Sequence, residues 1–274
     1  MSVKIARVIR ASAPRKTPAP AGNPAVCINP PSLQFTPWEA WRFDNQLQSY
    51  PSMKPRVKLA ESTFTGGILS LVEHDGSYSI SLYGKELMHS RANASELLLG
   101  SLGVARLGNK LAGRVLIGGL GLGFTLKAAL ESVGDNTTIE VAEMIPEVIE
   151  WNRTHLKNLN GSLLDHSQVE IRTVDVIRLI QEAKPSTYDA ILLDVDNGPN
   201  AMVCETNASL YSKNGIRSIC RALKKGGRLV VWSAGPDQGF EKRLERAGLQ
   251  VEAVRAKAHA GAKGPSHFLF VADF

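Results

Sequence analysis

Acids that stand where apolar runs end carry the first chemical signal in this sequence. TIEVAE ends at Glu143, VEIRTVD at Asp175, and YDAILLDVD at Asp194 and Asp196. Ahead of them, VLIGGLGLGFTLKAAL brings an apolar run into Gly119, Gly121 and Gly123 and leaves as a helical pattern. Glycines there permit positive φ and remove Cβ atoms that would block a bound nucleoside. A GxGxxG dinucleotide loop needs glycine where Phe124 stands, so the spacing fits GxGxG and a ligand without a pyrophosphate. Glu143, about twenty residues on, suits a carboxylate that accepts hydrogen bonds from both ribose hydroxyls. Asp175 suits the adenine amino group, the N-cap of the next helix, or both. Met144 and Val176, which follow these two acids, are counted with them as nucleoside contacts. Asp194 and Asp196 open into an Asn-Gly-Pro turn at a strand mouth. A carboxylate there can take a proton from an amine and orient its lone pair. Asp189 precedes the same strand and reads as an edge or solvent acid.

These acids need a parallel sheet behind them. Strand signals fall at Arg114–Ile117, Thr138–Ala142, Val169–Thr173, Tyr188–Leu193 and Arg228–Ser233, with weaker ones at Leu249–Val254 and His267–Val271. Helical patterns separate most of them, and fully apolar strands such as AILL and LVVW imply a sheet covered on both faces. Such sheets bind ligands at the carboxyl ends of their strands. Upstream, GGILSLVEHDGSYSISLYGKELMHS alternates in twos around the turn His74-Asp75-Gly76-Ser77, which predicts β-hairpins. A helix begins at Ser95 and ends near Gly103. The expected class is α/β: a Rossmann-like, doubly wound, mostly parallel sheet of about seven strands, preceded by a small N-terminal β-domain. Residues 1–55, rich in Pro, Ala and Ser at their start, read as a flexible extension with some likeness to a targeting peptide. Residues 56–95 form the β-hairpin domain and 96–274 the Rossmann-like domain.

Composition narrows the function classes. The net charge of +6 is located in the tail: five of the 32 basic residues precede the first acid, Glu39, and the rest nearly balance the 26 acids. A basic face for nucleic acid is therefore not expected on the folded body. No apolar run approaches the roughly 18 residues a bilayer requires. Cys27, Cys204 and Cys220 form no CxxC pair, and the six histidines show neither HxxxH nor HExxH. No metal and no disulfide are expected, and a cytoplasmic location is, with organelle import through the N-terminal extension left open.

From about Ser62 to Phe274 the chain resembles the spermidine/spermine synthase group, a branch of the class I S-adenosylmethionine-dependent transferase fold. VLIGGLGLG, EVAEMIPEVIEWNR, VEIRTVDV, YDAILLDVDNGP, LYSKNGI and LKKGGRLVVW carry the resemblance together, along with the β-domain ahead of them. It implies that Glu143 holds ribose, Asp175 lies near adenine and Asp194 stands between cofactor and acceptor. It also implies a small-molecule amine acceptor and a homodimer.

The departures concern the acceptor side. Aminopropyltransferases carry a GGGDGG loop whose Asp faces the amine of decarboxylated S-adenosylmethionine; here Gly121 takes that place. Without that carboxylate the choice tilts towards ordinary S-adenosylmethionine, whose own carboxylate the Asp would repel. The family's DSSDP-like strand end becomes Asp194-Val195-Asp196-Asn197-Gly198-Pro199. At the helix entry Ala94 and Ser95 replace a Tyr-Gln pair, while Glu96 remains. Arg91 adds a cation suited to a carboxylate on the acceptor or the cofactor, or to an ion pair with Glu96. Tyr211 is a candidate hydrogen-bond donor to the acceptor, and Trp232 a candidate wall of its pocket; packing is the competing role for both. The expectation is a transferase that alkylates a small amine with S-adenosylmethionine or its decarboxylated form, leaning to methyl transfer. Asp194 is its base and Asp196 a helper. The alternatives are a true aminopropyltransferase and a non-catalytic adenosyl-binding subunit.

Overall fold

The computed structural model describes residues 54–64, 67–108, 112–195, 208–264 and 266–274. Most of the N-terminal extension and the candidate helper Asp196 lie outside these residues.

The twofold alternation in the first half produces four antiparallel strands: β1 (Val57–Phe64), β2 (Gly67–His74), β3 (Ser77–Leu82) and β4 (Lys85–His89), paired in that order. Asp75 and Gly76, with φ of 51° and 69°, form the two-residue turn between β2 and β3. Positive φ at both central positions matches the right-handed twist of the flanking strands. Pairing of Leu69 with Leu82 and of Leu71 with Ile80 puts these side chains on one face. Leu69, Leu71 and Ile80 are buried, and they join the core of the second sheet.

Helix α1 (Ala94–Val104) follows, then β5 (Gly113–Gly118), α2 (Phe124–Glu131), β6 (Thr137–Glu143), α3 (Pro146–Arg153), the single turn α4 (Lys157–Asn160) and β7 (Val169–Thr173). The chain continues through α5 (Val176–Glu182), β8 (Tyr188–Leu193), α6 (Lys213–Ala222), β9 (Leu223–Ser233), α7 (Gln238–Arg246), β10 (Gln250–Ala256) and β11 (His267–Asp273). The seven strands run in the order β10-β11-β9-β8-β5-β6-β7. Strands β9, β8, β5, β6 and β7 are parallel, and β11 is antiparallel to both of its neighbours. Val115, Leu116 and Ile117 of β5 and Ala190 to Leu193 of β8 are sealed from water on both faces, as their unbroken apolar runs require.

From β5 the chain first moves outward to β6 and β7, then returns to β8 on the other side. A crevice opens where the direction reverses, at the carboxyl ends of β5 and β8. Helix α1 closes over it. Its Gly100 and Gly103 permit this approach: a Cβ at Gly100 would overlap the Thr125 carbonyl and Ala128 of α2, and one at Gly103 would meet Leu192 of β8. Two helical glycines cost about 1 kcal/mol each in propensity, which the close packing offsets.

Asp189 departs from its expected place at a solvent edge. It is buried, accepts from the Arg114 backbone N–H at 2.9 Å and pairs with Lys224 at 2.7 Å. No helix among the described residues is long and apolar enough to cross a membrane.

Candidate active site

A cavity of about 300 Å³ occupies the crevice, at the lower end of the range typical of small-molecule sites. Its floor is the glycine loop, with Gly119, Leu120, Gly121 and Leu122 exposed to it. Gly119 and Gly121 have φ of 91° and 52°. A Cβ at Gly119 would collide with the Asp194 carbonyl, so glycine is required where β5 and β8 part. Gly123, with φ of 85°, starts α2 but is not a cavity residue. A Cβ there would press on Asn152 and Asn160, so its role is to let the loop turn into the helix.

Those two asparagines are contacts the sequence did not single out, although Asn152 lies inside EVAEMIPEVIEWNR. Asn152 donates to the Gly121 carbonyl at 2.9 Å, and Asn160 donates to Asn152 Oδ1 at 2.6 Å. The loop is thus held from behind by a buried and a half-buried side-chain amide.

Glu143 is the best-oriented acid in the site. Its Oε2 accepts from Leu120 N at 3.0 Å and its Oε1 from Ile145 N at 2.9 Å. Burial pushes this carboxyl above the usual carboxylate range. The N–H groups of Leu120, Ile145, Met144 and Gly121 oppose that shift. Each oxygen keeps acceptor capacity beyond its backbone bond, as a diol ligand would require. Asp175 caps α5, its Oδ1 accepting from Ile177 N at 2.8 Å, and it also lines the cavity beside Val176. Met144 lines the cavity too and is 55% exposed, an apolar surface free to cover a flat ring.

Asp194 after β8, Glu96 of α1 and Trp232 of β9 also line the cavity and bring a second pair of carboxyls to it. Thr125 Oγ1 donates to Asp194 Oδ2 at 2.8 Å, and Ser95 Oγ donates to Glu96 Oε2 at 2.6 Å. Burial pushes Asp194 up to about 6, against the pull of the Thr125 hydroxyl. Burial, and then the neighbouring Asp194 charge, push Glu96 up to about 7. Two carboxyls whose charges oppose each other in a desolvated site hold a proton readily near neutrality. Trp232 lines the cavity while its ring packs against His267 at a centroid distance of 4.7 Å.

The β-domain supplies the remaining wall through Leu69, Ile80, Leu82, Leu87 and Met88. A side chain at Gly121 would meet Met88 Sδ at 3.1 Å, so a thioether stands against the place such a side chain would take.

Two expected acceptor contacts are elsewhere. Arg91 is exposed; it donates to the Asp75 carbonyl at 3.2 Å and lies 3.9 Å from the Asp75 carboxylate. The β2–β3 turn supplies its ion-pair partner, and Arg91 is not among the residues that line the cavity. Tyr211 is buried, with its ring edge-on to Phe240 at 5.4 Å, and it does not line the cavity. Its position at the start of α6 serves packing between α6, α7 and the sheet. The residues missed from sequence, Ser95, Thr125 and His267, come from three separate elements. No local spacing links them.

No family model matches the chain. Over 124 residues it is 32% identical to a polyamine aminopropyltransferase of Mycobacterium tuberculosis (strain CDC 1551 / Oshkosh), covering 44% of this chain and 23% of that relative. Over 153 residues it is 29% identical to a polyamine aminopropyltransferase of Halorhodospira halophila, covering 55% and 50%. The matched stretches therefore span between about a quarter and half of these relatives' length. Among solved structures, the spermidine synthase of Thermotoga maritima superposes with a TM-score of 0.59 at 18% identity, covering 79% of this chain and 72% of that one. A probable spermidine synthase from Corynebacterium glutamicum gives 0.58 at 14% identity, covering 78% and 79%. The chain thus shares the fold of these spermidine synthases and, over part of its length, is similar in sequence to polyamine aminopropyltransferases. The structural likeness speaks for the fold, including the antiparallel β-sheet ahead of the seven-stranded one. The expected lean to methyl transfer finds no support in these relatives, which are named as aminopropyltransferases.

Proposed function

We propose that the chain transfers an aminopropyl group from decarboxylated S-adenosylmethionine to a small amine. The charge of the cavity carries this reading. Its described lining includes four carboxyl groups, on Glu96, Glu143, Asp175 and Asp194, and no lysine, arginine or histidine. Such a site favours a ligand of net positive charge, and an acceptor amine beside it, over one that brings a carboxylate. The naming of the relatives points the same way.

The residues present fit an adenosyl ligand. Glu143, fixed by two backbone N–H groups, would hold the ribose diol, Asp175 the adenine amino group, and Met144 and Val176 the faces of the base. When bound, decarboxylated S-adenosylmethionine would supply a carbon activated by sulfonium and a neutral thioether leaving group. No residue then needs to act as a general acid. Asp194 would accept the acceptor's ammonium proton and aim the freed lone pair. Thr125 keeps the Asp194 carboxylate in one rotamer, and the β-domain wall excludes water.

Methyl transfer from S-adenosylmethionine keeps one observation in its favour: Gly121, with Met88 packed over it, offers no carboxylate to a cofactor amine. The deciding experiment supplies each cofactor with a panel of amines, putrescine first, and quantifies the nucleoside product. Methylthioadenosine from the decarboxylated cofactor is the expected result. S-adenosylhomocysteine alone would replace the proposal with methyl transfer. Binding of either cofactor without turnover would leave an adenosyl-binding subunit.

A further inference from the structure

Alkylation of an amine at a sulfonium carbon releases one proton per turnover. The acceptor arrives as an ammonium and loses a proton, and its lone pair forms the C–N bond. The C–S electron pair leaves with sulfur as a neutral thioether, and the product departs as a secondary ammonium. The proton that Asp194 takes must therefore pass to Glu96, which lines the same cavity beside it, and leave the carboxyl pair before the next cycle. This requirement rests on the transferase reading above.

We propose that Ser95 and His267 form a relay that carries the acceptor's proton from Glu96 out to solvent. Ser95 is fully buried, and its Oγ lies 2.6 Å from Glu96 Oε2 and 3.0 Å from His267 Nδ1. His267 is half-buried at the start of β11, so its ring joins the sealed hydroxyl to the surface. A serine hydroxyl has one hydrogen and can give it to only one neighbour. While Glu96 is a carboxylate, Ser95 donates to it, and His267 must then donate Nδ1–H to Oγ. When Glu96 is protonated the donations reverse: the Glu96 O–H points to Oγ, and the Ser95 O–H points to an unprotonated Nδ1. Passage between these states moves one proton from Glu96 to the imidazole through the hydroxyl, with no net change at Ser95. Nε2–H then releases a proton to water, which leaves the Nδ1–H tautomer that donates to Oγ, and proton exchange with water returns the ring to the Nε2–H tautomer when Glu96 is next protonated.

The surroundings suit a neutral, proton-accepting imidazole. Helix α1 presents Ser95 and, through it, Glu96; β9 presents the uncharged ring of Trp232; β10 sets Ala256 directly opposite His267. Arg255 pairs with Phe268, one position along, so it points from the other face of the sheet. Lys257 and His259 are exposed. Burial lowers the His267 pKa, and no anion among the described residues compensates for it.

The test has two arms on the full chain. In the first, nitrogen-15 NMR of the histidines, without substrate, reads the His267 tautomer and its titration in wild type, Ser95→Ala and Glu96→Gln. The relay predicts an Nδ1–H tautomer in wild type near neutral pH and a shift towards Nε2–H in Ser95→Ala. It also predicts an altered His267 titration in Glu96→Gln. A tautomer and titration indifferent to both substitutions would overturn it. In the second arm, His267→Gln should lower kcat roughly tenfold or more, with the acceptor KM and adenosyl-ligand affinity unchanged. The loss should shrink as pH rises, and added imidazole should restore turnover in His267→Gly. Wild-type turnover with an unaltered kcat and pH profile in His267→Gln would overturn the relay alone. Absence of any wild-type product would instead remove the transferase reading, and the relay's role with it, while the NMR arm still judges the wiring.

Discussion

Glu96→Gln should make the protein more stable at alkaline pH while leaving its stability at acid pH nearly unchanged. Glu96 sits on α1 over the crevice, and burial followed by the Asp194 charge pushes it from the ordinary 4.5 up to about 7. One pKa step is worth about 1.4 kcal/mol, so a rise of this size amounts to about 3 kcal/mol. The remaining contact of Glu96 with water brings the expected effect nearer ~2 kcal/mol. The sign follows from linkage. A carboxyl whose folded pKa is raised contributes its full stability below the unfolded value and loses it as pH rises through the folded value. Wild type should therefore weaken between about pH 4.5 and 8, as the buried Glu96 is forced to ionise. Glutamine keeps the shape and can accept from the Ser95 hydroxyl without ever acquiring that charge. Asp194 titrates in the same direction but lower, up to about 6, so the variant should retain a shallower decline at the acid end of the window. Urea midpoints at half-unit pH steps provide the assay, with a difference at pH 8 corresponding to roughly 4–8 °C in Tm. Parallel stability profiles for the two proteins from pH 5 to 8 would refute the reasoning, since a solvated Glu96 has no penalty to relieve.

Four further variants separate the roles of the site. Asp194→Asn should cut transfer on the order of a hundredfold or more while calorimetry finds the adenosyl ligand bound as before; Thr125→Val, which removes the bond holding Asp194 down, should move the acid limb of the kcat profile to higher pH. Glu143→Gln replaces one acceptor oxygen with an NH2 group facing a backbone N–H, so ligand affinity should fall roughly ten- to a hundredfold, read by the same titration. Gly121→Asp restores a carboxylate in the loop at a φ that aspartate tolerates. Combined with Met88→Ala to clear the sulfur 3.1 Å away, it should raise the preference for decarboxylated over ordinary cofactor in competition binding.

What could be read in advance follows from how far each signal extends along the chain. The strands carrying Glu143, Asp175 and Asp194 are continuous apolar runs, and each puts its acid at a strand end. Periodicity and position were enough to place these acids in one crevice. The two-residue turn at Asp75-Gly76 was legible for the same reason: backbone conformation is a local property of those residues. Arg91 was weighed against Glu96, five residues away on the chain. The folded turn sets it beside Asp75, from which sequence separates it by sixteen. Tyr211 carried two roles in the sequence because a helix start next to a site and a helix start next to a core look alike until the neighbouring Phe240 is in place. The hydroxyl and imidazole contacts around the carboxyl pair are the extreme case. Ser95, Thr125 and His267 belong to α1, α2 and β11, and only the insertion of antiparallel β11 beside β9 carries His267 to Ser95, 172 residues earlier. Polar chemistry assembled across three elements leaves no spacing to read. The departures that a motif comparison counts as losses, such as Ser95 in place of a family glutamine, acquire a role only when their new partners are in view.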